Sequence, residues 1–136
     1  MPGMTGIERI RPEGLLRSPT FSHVAVVPPG ATTIYVGGQD SVDADGALVG
    51  AGDAAVQSVR AVENVRTALA AAGATFADVI QWTVLFADGV DLDAAYNAIA
   101  PLIASDDPGL VIAARVAGLG MPGALIEVSA VAAVIR

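Results

Sequence analysis

The chain has 136 residues, 54% of them hydrophobic, which is enough for one compact domain over 1–136 and too few for two separate cores. Fourteen acidic residues against seven basic ones give a formal net charge of −7, and all seven cations are arginine. Nucleic-acid binders need a cationic surface to displace phosphate counterions, so this composition argues against that class, and the absence of lysine excludes a lysine Schiff base.

In chain order, the first thirty residues alternate short apolar runs with Pro and Gly, and HVAVVPPG reads as a strand closed by a Pro-Pro-Gly turn. Thr32 to Val36 reads as its hairpin partner. In TTIYVGGQ the β-branched and aromatic residues favour a pleated strand, while Gly37 and Gly38 mark a bulge or a place where another backbone or a ligand comes close. Asp45-Gly46 supplies the next turn.

Asp53 can cap a long helix with Val56, Val59, Val62, Val65 and Leu69 as its buried stripe, and Gly73 stands where the residue after the C-cap belongs. Phe76-Ala77-Asp78 leads into VIQWTVLF, a central strand with Trp82 and Phe86 as core or interface packing. Asp91 can cap a second helix carrying Leu92, Tyr96, Ile99, Leu102 and Ile103 on one side and ending at SDDPG. LVIAARVA and ALIEVSAVAAVI then form two closing strands joined by a GLGMPG loop.

The resulting order β-β-α-β-α-β-β predicts an α+β fold, a mixed sheet with two helices on one face. The mean hydropathy of +0.61 and the Val, Ile and Ala on both alternating sets of the last two strands predict that the uncovered sheet face closes against other subunits. Without cysteine there is no disulfide, thiol nucleophile or thiolate metal site, and one histidine, His23, cannot build a multi-histidine site, so no metal is expected. His23 reads as a partly exposed strand residue. No basic segment leads into an apolar run at the N-terminus and no run approaches the roughly 20 residues that span a bilayer, so a soluble cytoplasmic protein without a membrane partner is expected.

One side chain carries chemistry. Glu127 is the only ionisable group in a long apolar closing strand, alternating with Ile126 and Val128. Burying a carboxylate unpaired raises its pKa, which suits a general acid or base near neutral pH. The alternatives are a solvent-facing carboxylate or one paired with Arg115 across two adjacent strands. Gln57 and Asn64, seven apart on the first helix, read as turn contacts and helix packing.

From Thr32 to Ala132 the chain resembles the reactive-intermediate deaminase (Rid) family, also called YjgF or L-PSP endoribonuclease. The resemblance rests on IYVGGQ, on DAAVQ continuing to ENVRTALAAAG, on FADVIQWTVLF and on PGALIEVSAVA, in this order and spacing. It implies a homotrimer of chorismate-mutase-like subunits with small-molecule clefts between neighbours, and no cofactor. It also implies hydrolysis of imines or enamines, with Glu127 matching the glutamate that directs water or the departing ammonia and Gly38, beside Gly37, matching the substrate-holding strand end. By the same resemblance the substrate-gripping arginine of deaminating members falls at Leu110 or Val111, where none stands. Phe21 stands at a common tyrosine and Tyr96 where many members carry asparagine. Phe21, Gly37, Gly38, Tyr96, Leu110 and Val111 are therefore the expected substrate-binding residues. The substitutions imply either a hydrolase that is inefficient on 2-iminopropanoate or a non-catalytic metabolite-binding trimer.

Overall fold

A computed structural model describes residues 6–136; residues 1–5, part of the N-terminal segment read above as lacking a leader, lie outside it. The elements are β1 (Glu8–Ile10), β2 (Val24–Val26), β3 (Thr32–Gln39), α1 (Ala54–Ala71), a 3-10 turn (Phe76–Asp78), β4 (Val79–Ala87), α2 (Leu92–Ile103), β5 (Leu110–Val116) and β6 (Ile126–Val134). Four strands form a mixed sheet in the order β3-β6-β4-β5, with β4–β5 parallel and the other pairs antiparallel. Both helices lie on one face, α1 against α2, β6 and β3, as expected for an α+β layer.

Local chemistry sets the helix ends. The Asp53 side chain accepts from Val56 N–H and the Asp91 side chain from Ala94 N–H, each satisfying one of the donors that a helix start leaves orphaned. Gly73, at φ +77°, follows the Ala72 C-cap in the left-handed conformation that ends α1. No helix among the described residues is long and apolar enough to cross a membrane.

The core lies between helices and sheet. Val62, Val65 and Leu69 of α1, Ile99 and Ile103 of α2, Trp82, Val84 and Phe86 of β4 and Ile126, Val128 and Ala130 of β6 are all buried there. The other sheet face carries Tyr35, Gln81, Thr83, Leu85, Ile112, Glu127, Ser129 and Val131, as the strand registers require. On it Tyr35 is 80% and Ile112 51% exposed.

Three expectations are corrected. The strand at Val24–Val26 pairs with β1 in a separate two-stranded ribbon, not with Thr32–Val36, which pairs with β6. Pro28-Pro29-Gly30 turns the chain from one sheet to the other, because two prolines remove the N–H groups that a tight hairpin ladder would use. Val56 and Val59 of the expected α1 stripe are exposed, while Gln57 and Ser58 are fully buried. Gln57, which bonds to Gly50, Gly123 and Leu125, and Ser58, which bonds back to Ala54 O within the helix, have displaced the apolar period there. The two closing strands are not neighbours; β4 lies between them, which removes an Arg115–Glu127 cross-strand pair. Arg115 instead stands exposed opposite Phe86.

Near the chain ends, Gly6 (φ +102°) is seated on β6's last turn of chain: a β-carbon there would lie 2.7 Å from Ile135 Cγ1. Arg9 fastens the ribbon to the sheet. Its guanidinium donates to Asp107 (3.0 Å), to Ala77 O (2.7 Å) and to Val79 O (2.8 Å), with the side chain 6% exposed.

Candidate functional site

The sequence-predicted residues fall into two groups. The first is built on the β3–β6 pair. Val36 faces Ala130 and Gln39 faces Val128, so β3 carries an extra residue between them, and Gly37 and Gly38 form that bulge. Gly38 is needed for a second reason: a β-carbon on it would lie 2.7 Å from both Cδ and Oε2 of Glu127. The Glu127 carboxyl therefore rests against the Gly38 backbone, half-buried, with Leu85 of β4 on its other side.

Continuing the Gln39–Val128 register brings Asp40 opposite Glu127. Burial pushes the Glu127 carboxyl above its ordinary range, and Asp40 pushes further in the same direction, by accepting a hydrogen bond from the protonated form and by its own charge. Asn64 of α1 fixes the loop below, its Nδ2 donating to Asp40 O (3.0 Å) and Val42 O (2.9 Å), while Arg60 Nε donates to Asn64 Oδ1 (3.0 Å).

The second group lies at the other end of β4. Ser22 N–H donates to Gly109 O (3.0 Å), laying Thr20-Phe21-Ser22 along the start of β5, and the hydroxyls of Thr20 and Tyr96 hydrogen-bond to each other. Phe21 is half-buried, edge-on to His23, whose Nε2 meets Leu16 O at 2.6 Å. Leu110 faces the Glu127 side of the sheet opposite Gln81, whereas Val111 stands opposite Trp82 and packs on the core. Gly37, Gly38 and Glu127 are thus brought together, and Phe21 and Leu110 lie along the same sheet edge, tied through Ser22 and Gly109; Tyr96 reaches only Thr20, from the helix layer, and Val111 packs on the core.

Within the chain the groups are far apart. From the level of Leu85 to that of Gln81 is about 13 Å along the strand, and Glu127 and Leu110 are two strand spacings apart, about 10 Å more across the sheet. Each group also holds a buried polar atom without a partner, Asp40 Oδ1 in the first and Ser22 Oγ in the second. Sequence reasoning singled out neither residue. The two glycines ending β3 signalled a bulge, but the β3–β6 pairing that sets Asp40 against the glutamate was not legible from the sequence.

A family model described as Endoribonuclease L-PSP matches residues 16–134. Among solved structures, the chain is similar to a protein of unknown function of the conserved Rid protein family, YyfB from Yersinia pestis, at 30% identity and a TM-score of 0.82, covering 93% of this chain and 98% of that one. It is also similar to the YjgF gene product of E. coli (24% identity, TM-score 0.66, covering 79% and 87%) and to RidA from the Antarctic bacterium Psychrobacter (21%, 0.65, 85% and 95%), likenesses that concern the fold. With a family model matching residues 16–134 and a 30% identical Rid-family structure covered over almost its whole length, this protein belongs to the Endoribonuclease L-PSP family, the Rid/YjgF proteins.

Proposed function

We propose that this protein is a homotrimeric cytoplasmic hydrolase of small imines or enamines, with Glu127 handling the proton. The observation that carries this reading is the Glu127 carboxyl, seated on the Gly38 bulge of the open sheet face between Leu85 and Asp40, with its pKa raised above the ordinary range. In the reaction, water adds its oxygen to the imine carbon and the C=N π pair moves to nitrogen. Glu127 gives its proton to that nitrogen and recovers one from the adding water, leaving a carbinolamine; it then relays the hydroxyl proton to the amine as the C–N bond breaks and C=O forms, releasing ammonia and a carbonyl compound. The separation of the two residue groups supports clefts between subunits, the Glu127 group of one chain meeting the Phe21–Leu110 edge of the next.

No arginine stands at Leu110 or Val111 to grip a carboxylate, a contact worth on the order of 2 to 3 kcal/mol. The substrate is therefore less acidic or more apolar than a 2-imino acid. With net charge −7 and no lysine, ribonuclease chemistry finds no support in this chain despite the family's name. The same missing arginine favours a second reading, a trimer that binds a metabolite without turning it over.

Semicarbazide competition tests this, with an amino-acid oxidase supplying 2-iminopropanoate and an amine oxidase supplying an imine that has no carboxylate. Turnover of the second but not the first is expected, and it is lost in Glu127→Gln. Leu110→Arg should then raise 2-iminopropanoate turnover, since residue 110 lies on the open face, while an arginine at 111 would enter the core. No turnover of either imine, with ligand affinity altered in Glu127→Gln, would leave the binding reading.

A further inference from the structure

We propose that Asp40 and Glu127 form a carboxyl–carboxylate pair sharing one proton, in which Asp40 is the positioning residue that keeps Glu127 protonated for its work as an acid. The functional half of this inference rests on the reading of Glu127 as the proton-handling residue; the shared proton itself does not.

Three observations meet here. The bulge at Gly37-Gly38 shifts the β3 register by one residue, and that shift is what places Asp40, not Gln39, opposite Glu127. Across an antiparallel pair, opposite residues share a face, with β-carbons about 4.5–5.5 Å apart, so two acidic side chains so placed reach each other. Next, Asp40 Oδ1 is shielded from solvent and receives no hydrogen bond from any donor. A buried carboxylate oxygen without a donor is costly, and a proton carried by Glu127 is the donor that this position lacks. Finally, the Glu127 carboxyl cannot swing toward β3 past Gly38, whose backbone it already touches, so the pair is held together from both strands.

No cation neutralises the pair among the described residues. From β4 the facing residue is Leu85, and from α1 the approach is made by Asn64, which binds the Asp40 backbone carbonyl and not its carboxyl. Arg60 is turned to Asn64, Asp43 accepts from its own turn at Asp45 N–H and Ala47 N–H, and the ion pairs found are Arg9–Asp107 and Arg66–Glu63. Two like charges in contact without a cation cannot both ionise at ordinary cost, and one proton between them is the general solution. The raised Glu127 pKa agrees with this geometry. The pair then presents an acid beside about one negative charge, which also repels a substrate carboxylate.

Carboxyl-detected NMR titration of the full chain tests the pair, with Glu127→Gln identifying the Glu127 signal. In the native protein Glu127 should titrate above ordinary glutamate. In Asp40→Asn and Asp40→Ala its midpoint should fall by about one pH unit or more, because both remove the neighbouring charge. If either variant turns over an imine, the acid-to-base transition of its pH–rate profile should move down with it. A Glu127 midpoint that is ordinary in the native protein, or unmoved in whichever Asp40 variant folds, overturns the pair. A shifted midpoint in a protein that hydrolyses no imine upholds the shared proton and overturns only the catalytic reading.

Discussion

Two glycines show how differently close packing can be resolved at a single residue. A β-carbon at Gly38 would collide with the end of the Glu127 side chain, which can swing aside, whereas one at Gly109 would lie 2.8 Å from Val79 O and 3.0 Å from Ile80 O, which are backbone and cannot. Gly109→Ala should therefore cost about 2–3 kcal/mol in denaturant melts, while Gly38→Ala costs under about 1 kcal/mol yet displaces the carboxyl and lowers its NMR midpoint toward ordinary glutamate. Glu127 itself makes a pH-dependent prediction. Its folded pKa lies above the ordinary value of 4.5, so the unfolded chain releases the proton first, and stability falls as pH rises from 4.5 to the folded midpoint and stays level beyond it. Glu127→Gln escapes that loss, and its amide can still donate to Asp40. Thermal melts should show the variant equal to the native protein well below pH 4.5 and equal or higher at neutral pH. A variant that melts lower at neutral pH would make Glu127 a structural carboxylate.

At the scale of elements, α1 depends on a side chain that its apolar pattern conceals. Gln57 is fully buried; its Nε2 donates to Gly50 O (3.1 Å) and Gly123 O (3.2 Å), and its Oε1 accepts from Leu125 N–H (2.9 Å), tying the helix to the loops before α1 and β6. Gln57→Leu keeps the volume but strands the Gly123 carbonyl and the Leu125 N–H, while Gly50 O keeps the Asp53 N–H, so a loss of about 2–3 kcal/mol is expected, and a loss below about 1 kcal/mol would show that water replaces the amide. The helix caps at Asp53 and Asp91 and the turn at Gly73 were legible in the sequence because each is satisfied within a few residues. So was the sheet face that Glu127 takes, which follows from strand parity. The exposure of Val56 and Val59, the pairing of β2 with β1, the place of β4 between β5 and β6 and the Asp40 contact all depend on partners tens of residues away, and a local period carries no information about them. Leu110 and Val111 were equal candidates by counting; pleat direction alone separated them.

For the whole molecule, the open sheet face is the dominant fact. Tyr35 and Ile112 stand on it uncovered, beside Leu85 and Val131, and apolar surface of this kind is closed by association. Light scattering at micromolar concentration should give a mass near three times 13.6 kDa, and a single-chain mass would remove the intersubunit cleft from the proposed function. A different consequence follows from the seating of Gly6 on Ile135. In the native order, pairing Thr32 with Val134 closes a loop of roughly a hundred residues, a slow step for the sheet. Because residues 6 and 135 touch, a short linker could join them and the chain could be reopened at the exposed Gly118. In that circular permutant β6 leads, so its separation from β3 falls to about 40 residues while its separation from β4 grows from about 46 to about 90. The mean separation hardly changes, and the β3–β6 pair, not β4–β6, becomes the one with the smaller closure entropy and should form first on refolding while the sheet is unchanged.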